Sequence, residues 1–511
     1  LTQAEQDWHL EVGADFDPSA GGRGSPVRVW AEHWRSAPER PCAIFPGGGQ
    51  PGPELSYGEL EAASRRVAGR LHAAGLRPGD RLLASASASP ELIIAHVASL
   101  RLGLVVVPTN TAYRRGEIRF VVGDARPRAA LVDDPERAAW IREADPSILI
   151  LTPDIPLPAA EAPKLDDAAP TSPALLGYTS GTTGRPKGAI LSHGNLLASA
   201  EALRLAWRWS RDDRLLLSLP LFHMHGLGVG LHGTLHAGAS AVVLPRFEST
   251  AVFDAIRTWR ATLFFAVPTL YHRLADHPRV AELSALRLCV SGSAPLPAAL
   301  HQRFEEATGQ RILERYGMTE TVMLVSNPVE GERRPGTVGL ALPGVEMRLS
   351  GDPAEIEVRG PNVFAGYWER SEANAEAFTA DGFFRTGDLG RLDDAGYLCI
   401  DGRARELLIS GGYNVYPREV EEALRLHPAI EDAAIVGTPS QEWGDRINAY
   451  VVCEDAAACA LEELRAFLAD HLAAFKHPRI VYRVEALPRN ALGKVQKHRL
   501  QDGRVLPETQ D

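Results

Sequence analysis

The chain has 511 residues, more than one hydrophobic core serves, so at least two domains are expected. Its 45% hydrophobic and 23% charged residues are the composition of a globular protein, and a formal net charge of −11 argues against nucleic acid as the main partner. Cys42, Cys289, Cys399, Cys453 and Cys459 are scattered, odd in number and without metal spacing; they read as buried or incidental thiols of a reducing compartment. The first residues, LTQAEQDWHLEVGADFD, are acidic and carry no apolar signal-peptide core. The most apolar stretch, residues 92–108, is interrupted by His96 and Arg101 and is too short to span a bilayer. A cytoplasmic enzyme with no membrane span is the expectation.

Along the chain, Ser56-Tyr57-Gly58-Glu59 has the spacing of a capping box, and Leu60, Ala63, Val67 and Leu71 follow at helical intervals up to Gly75. Short apolar strands are predicted at residues 81–84, 105–108, 129–132, 215–218 and 241–244, alternating with amphipathic helices, which implies a largely parallel, helix-covered sheet. Residues 152–174 are rich in Pro, Ala and Asp and read as an exposed connection. From 355 to 400 the pattern shifts to short strands and turns, with Asp393-Asp394-Ala395-Gly396 as a hairpin turn. After Gly402 a smaller α+β unit is predicted, with Pro417 near the start of a helix, strands near 433–436 and 449–452, and a helix over 461–472. The expected fold is therefore α/β: a large N-terminal domain (1–403) of helix-covered, mostly parallel sheets plus a small β-rich subdomain, joined by a hinge to a small α+β C-terminal domain (404–511).

The most informative run is residues 178–188, which packs Thr179, Ser180, Gly181, Thr182, Thr183, Gly184 and Lys187 into one loop. Glycines let backbone wrap a phosphate, while hydroxyls, amide N–H groups and an ammonium bond its oxygens. It is not a Walker A loop, which needs Gly-Lys-Ser/Thr four spacers after its first glycine; here Gly188 follows Lys187. The loop instead resembles that of the adenylate-forming (ANL) superfamily, which includes acyl-CoA synthetases, firefly-type luciferases and peptide-synthetase adenylation domains. The other runs that carry the resemblance follow in order: Ser291-Gly292-Ser293-Ala294-Pro295, Glu314-Arg315-Tyr316-Gly317-Met318-Thr319-Glu320-Thr321, Thr386-Gly387-Asp388, Gly402-Arg403, Ser410-Gly411-Gly412-Tyr413-Asn414-Val415-Tyr416-Pro417, and Lys494 within residues 488–494. The match covers nearly the whole chain.

The resemblance implies a division of roles. ATP is held by the 179–184 loop, by Ser293, Ala294 and Pro295, and by Glu314, Arg315, Tyr316 and Gly317, the tyrosine being suited to stack on adenine. Asp388 and Arg403 take the ribose, and Mg²⁺ sits with Glu320 and Thr183 beside the phosphates. Lys187, Thr319, Glu320 and Lys494 stabilise charge during adenylation, and His223 gates the passage to the thioester step. Arg405 is the hinge, and Gly411 and Gly412 enter to form the pantetheine tunnel, so that coenzyme A attacks the acyl-adenylate. The mechanism needs no enzyme nucleophile, in keeping with the lack of a Gly-x-Ser-x-Gly elbow.

The motifs are most similar to the malonyl-CoA synthetase branch, on Leu221-Phe222-His223-Met224-His225-Gly226-Leu227 and Val267-Pro268-Thr269-Leu270-Tyr271-His272-Arg273. The acid pocket expected from these runs is His225, Gly226, Val267, Arg273, Met318 and Val322. Two readings of Arg273 stand: a guanidinium for a second carboxylate, or a helix-surface arginine. His223 is either the gate or a buried histidine satisfied by a backbone carbonyl. After Thr321 the run Val322-Met323-Leu324-Val325 is apolar, which would desolvate a dicarboxylate without bonding it. The expected reaction is therefore ATP-dependent ligation of a hydrophobic or bulky carboxylic acid to CoA, with malonate or methylmalonate as the alternative acid. A carrier protein in place of free CoA, a luciferase-like oxygenase and a non-catalytic binding module are the rival readings.

Overall fold

The computed structural model describes residues 12, 15–17, 19–47, 52–179, 186–410, 413–440, 443–490, 493–501 and 503–505. Two compact units form, one reaching to Met347 and taking in Val358–Phe384, the other made of Arg348–Glu357 and the chain from Arg385 onward.

The first unit contains two large sheets. One runs in the order Leu149–Leu151, Ala129–Val132, Arg81–Ser85, Val105–Pro108, Pro173–Thr179, Lys187–Ser192, parallel except for the final hairpin. The other runs Leu340–Ala341, Val325–Ser326, Leu313–Tyr316, Leu288–Ser291, Leu263–Ala266, Arg214–Leu217, Ser240–Val243, Pro41–Ile44, Glu54–Ser56. Its middle is parallel and its edges antiparallel. The central strands, such as Ala129–Val132, Ser240–Val243 and Leu263–Ala266, are buried along their whole length, as helices on both faces require.

The predicted capping box is present: Ser56 accepts from Glu59 N–H and the Glu59 carboxylate reaches back to Ser56, starting helix Tyr57–Ala73. The apolar stretch is a buried helix, Pro90–Leu102, feeding strand Val105–Pro108. Tyr271 fastens helix Pro268–Ala275 to the sheet beneath it by donating to Phe264 and Val290 carbonyls.

The second unit holds most of a four-stranded sheet, ordered Glu346–Ser350, Glu355–Arg359, Phe384–Leu392, Leu398–Arg403. Its last two strands pair across the predicted 393–396 turn, closed by Gly396 N–H to Asp393 C=O, with Gly396 at φ 89°. The sheet Tyr413–Val415, Leu408–Ser410, Gly444–Val452, Asp432–Ser440, joined by Ile480–Arg483, forms the rest. Helices Pro417–Arg425 and Leu461–Leu468 bury Val420, Leu424, Leu464 and Leu468 on it. Residues 385–403, read from sequence as the end of the first domain, are grouped with this unit.

One expectation is corrected. Cys453 and Cys459 are joined by a disulfide, because the turn after strand Gly444–Val452 brings their Cα atoms to 6.7 Å. Cys42, Cys289 and Cys399 are free and buried, as read. No helix among the described residues is long and apolar enough to cross a membrane.

Candidate active site

The hydroxyl-glycine run is flanked by two paired strands. Strands Pro173–Thr179 and Lys187–Ser192 pair Tyr178 with Gly188 and Thr179 with Lys187. Ser180, Gly181, Thr182, Thr183 and Gly184 lie outside the described residues, but the strands fix where both ends of the loop stand. Thr179 Oγ1 donates to the Lys187 carbonyl at 3.4 Å. Segment 365–368 runs beside the second strand through Ile190 N–H to Gly366 C=O and Trp368 N–H to Gly188 C=O. This places Tyr367 beneath the lysine: Lys187 Nζ is 5.2 Å from the ring centroid, and Tyr367 Oη donates to Glu320 Oε1 at 3.0 Å.

The 316–324 segment folds onto this hairpin. A Cβ on Gly177 would stand 2.6 Å from Thr319 Cγ2, so the missing side chain is what lets Thr319 reach strand Pro173–Thr179. Leu324 N–H bonds Tyr316 C=O, closing a tight loop in which a Cβ on Gly317 would stand 2.5 Å from the Val322 carbonyl. Val322 pays for the turn with φ 58°, a left-handed conformation that a β-branched residue rarely adopts and that marks functional segments. Asn362 holds the loop by donating to the Thr321 and Met323 carbonyls at 3.1 and 2.6 Å, and Phe364 N–H bonds Glu320 C=O. Thr321, Val322, Met323 and Leu324 are all buried.

The π-helical turn His225–Leu231 stands beside the turn after strand Leu288–Ser291. Ser293, at φ 70°, faces His225 Nδ1 at 3.2 Å, and His225 N–H donates to His223 Nδ1 at 3.2 Å. His223 Nδ1 thus accepts from a backbone N–H, where the second of the two sequence readings had a backbone carbonyl as partner. Val322 Cγ1 would lie 3.2 Å from a Cβ on Gly228, so the π-turn glycine and the strained valine face each other. Glu314 is buried and accepts from Leu296 N–H, fixing the 291–295 turn. Val267 is buried at the start of helix Pro268–Ala275, Tyr316 is buried, and Met318 is half-buried.

Strand alternation turns Arg315 to the face opposite Glu314 and Tyr316. Its guanidinium lies where Gly292 has no side chain: a Cβ there would be 2.5 Å from Nε. Arg315 is 5% exposed, yet Nε and Nη2 have no hydrogen-bond partner among the described residues. Burial pulls its pKa from the usual arginine range to about 9. Burial first and Arg315 second push His223 to about 4, and burial, Arg315 and His223 push His225 well below the histidine range. Both imidazoles are neutral beside a buried cation. Arg273, by contrast, stands exposed on its helix.

In the second unit, paired strands set Asp388 opposite Arg403, whose Nε meets Asp388 Oδ1 at 2.7 Å; Arg403 also donates to Thr386 C=O. Gly387, at φ 70°, makes the turn of Thr-Gly-Asp possible. Lys494 is fixed by a short loop, its N–H bonding Asn490 Oδ1 and its carbonyl accepting from Asn490 N–H. Its side chain keeps solvent-exposed surface, but the protein packed around the ammonium, and Arg403 after that, lower its pKa below the usual lysine value. Arg405 lies in the 3-10 turn Ala404–Glu406, and Lys497 ties Glu406 to Glu421 at 3.0 and 2.8 Å. Gly411 and Gly412 lie outside the described residues.

Sequence reasoning missed Tyr367, Asn362, Lys497 and the isolation of the Arg315 charge. The first three sit in runs without a distinguishing pattern, and the last depends on what the fold leaves unpaired.

The hydroxyl-glycine run between paired strands, the adjoining Thr319-Glu320 pair and the α/β scaffold are those of an adenylate-forming enzyme. Family comparison agrees: the AMP-binding enzyme model matches residues 30–368 and the AMP-binding enzyme C-terminal domain model residues 419–494. The chain belongs to this family and is an AMP-forming acid–CoA ligase. It is 37% identical over 465 residues to a feruloyl-CoA synthase of Amycolatopsis, covering 87% of this chain and 93% of that one. It is 35% identical over 459 residues to the mitochondrial malonate–CoA ligase ACSF3 of Mus musculus, covering 80% and 79%. The crystal structure of ATP-bound MatB from Rhodopseudomonas palustris superposes with a TM-score of 0.86 at 39% identity, covering 93% of this chain and 98% of that one.

Proposed function

We propose that the acid activated here carries a second anionic group and an apolar body, as in a C2-substituted dicarboxylate. The observation that carries this reading is Arg315: a buried guanidinium with two nitrogens unpartnered among the described residues is costly unless an anion completes it. It stands with Gly292, His223 and His225, on the acid side, while Lys187 and Thr319 serve the phosphate hairpin. Val322 and Leu324 supply the apolar wall and retain the hydrophobic expectation. The two relatives named act on acids of both kinds, a malonate and a ferulate, which leaves the choice to the residues of this pocket.

In the proposed reaction one carboxylate oxygen attacks the α-phosphorus of ATP and the bond to the β-phosphate oxygen breaks, releasing pyrophosphate. Lys187, Thr319 and Lys494 stabilise the charge that grows on the phosphoryl oxygens. Glu320 suits Mg²⁺, which is held by one or two carboxylates plus phosphates and neutralises their charge when bound. The neutral His223 and His225 offer hydrogen bonds without competing with Arg315 for the anion. In the second step the CoA sulfur attacks the acyl carbon and AMP leaves with the electron pair. Asp388 and Arg403 hold the ribose, Arg405 is the pivot, the part from 404 on is the mobile domain, and Gly411 and Gly412 shape the thiol's path.

The test is pyrophosphate release with CoA across malonate, 2-alkylmalonates, medium-chain monocarboxylates and aryl acids. Turnover highest on alkylated dicarboxylates supports the reading; turnover confined to monocarboxylates rejects it.

A further inference from the structure

A second cleft, of about 550 Å³, opens at the other end of the nine-stranded sheet. The acid-side turns follow the C-terminal ends of the parallel strands Leu288–Ser291 and Leu313–Tyr316. This cleft is instead lined by what precedes their neighbours: Ala37 and Arg40 before Pro41–Ile44, Ser210 and Arg211 before Arg214–Leu217, and Gly238 before Ser240–Val243. Its volume lies in the range of small-molecule sites, roughly 300–1,000 Å³.

The lining is cationic in an acidic chain. Arg23, Arg40, Arg204 and Arg211 face Asp17 and Glu201, a local formal charge of 4 − 2 = +2 against −11 for the whole sequence. Both acids are already engaged. Asp17 accepts from Ser19 and pairs with Arg23 at 3.0 Å. Glu201 takes Arg204 through two bonds of 2.8 Å and His236 Nε2 at 2.7 Å. Arg40 bonds the Arg211 carbonyl and lies 3.8 Å from Asp212, itself exposed, and among the described residues no acid pairs with Arg211.

The floor is aromatic and polar at once. Tyr57 and Trp209 line the cleft beside Leu197 and Val29. His236 and Trp209 are 4% and 2% exposed, and among the described residues His236 Nδ1 and Trp209 Nε1 have no hydrogen-bond partner.

We infer that this cleft is a second ligand site, for a small organic dianion, carboxylate or phosphate, on an aromatic or apolar body. Arg40 and Arg211 hold the charge, and the Tyr57–Leu197 wall covers the apolar part. His236 ends helix His232–Ala237, which continues the π-helical turn carrying His225, so a ligand here bears on the far end of a segment that lines the acid side.

The experiment is calorimetric titration of the full chain, saturated with AMP, with phenyl phosphate, phthalate and benzyl alcohol. Binding of phenyl phosphate alone assigns a phosphorylated ligand, of phthalate alone a dicarboxylate, and of both a site for either. Arg211→Met alone, and Arg40→Met with Arg211→Met, should each weaken that binding about tenfold or more, the effect of losing a charged contact. Benzyl alcohol should not bind. Both arginines keep solvent-exposed surface, and an unchanged melting temperature verifies that the variants fold. No binding of either anion at millimolar concentration, competition by AMP, or affinity unchanged in both variants overturns the assignment.

Discussion

Gly177 and Thr319 are in contact by omission: a Cβ on the glycine would fall 2.6 Å from the threonine's Cγ2. Gly177→Ala must therefore push Thr319 off the phosphate hairpin. A displacement of this kind costs about a hundredfold in rate when the displaced group is positioned for chemistry. ATP–pyrophosphate exchange should fall by about that factor while ATP binding changes little. Unchanged exchange would mean that Thr319 takes no part in adenylation.

Tyr367 links Lys187 to Glu320 through its ring face and its hydroxyl. Tyr367→Phe keeps the ring and removes the bond to the carboxylate. The expected outcome is weaker Mg²⁺ binding, seen as a rise of about three- to tenfold in the Mg²⁺ concentration for half-maximal pyrophosphate release. Tyr367→Leu, which also removes the cation–π contact, should lower the maximal rate as well.

Buried neutral histidines set the acid limit of stability. Burial holds His96 and His193 at about 4, and burial with Arg315 does the same for His223, all below the ordinary 6.5. The unfolded chain binds more protons than the folded one between these values. Their contribution is thus complete above pH about 6.5 and is lost as pH falls toward 4. Calorimetric unfolding near pH 5.5 should show net proton uptake, and melting temperature should drop between pH 7 and 5. A flat melting temperature over that interval would place charged histidines in the folded state.

Much of this was legible in the sequence, because the fold and its signals are local. Ser56 and Glu59 announce a helix start, apolar runs such as residues 129–132 announce buried parallel strands, and the hydroxyl-glycine run and the Tyr316–Thr321 segment announce the nucleotide chemistry. What stayed hidden depends on pairing across the fold. Arg273 and Arg315 are equally arginine in sequence; one lies exposed on a helix and the other is buried against a glycine, its Nε and Nη2 unpaired among the described residues. Tyr367 becomes a neighbour of Lys187 only through the Ala189–Tyr367 bridge. The Cys453–Cys459 pair reads as two of five scattered thiols until the turn after residue 452 closes.

An isolated buried charge also carries a stability signature. Arg315→Met removes the guanidinium and keeps the volume, so the ligand-free protein should melt higher, by the equivalent of about 1–4 kcal/mol. A lower melting temperature would show that Arg315 is structurally paired.

The most direct measurement compares kcat/KM of the wild type and Arg315→Met on a 2-alkylmalonate and on the matching monocarboxylic acid, by pyrophosphate release with CoA present. The proposed pocket predicts a loss of about a hundredfold or more on the dicarboxylate, with the monocarboxylate unchanged or improved. Equal losses on both acids would contradict it, placing Arg315 at the reacting carboxylate or the nucleotide instead of at a second anionic group.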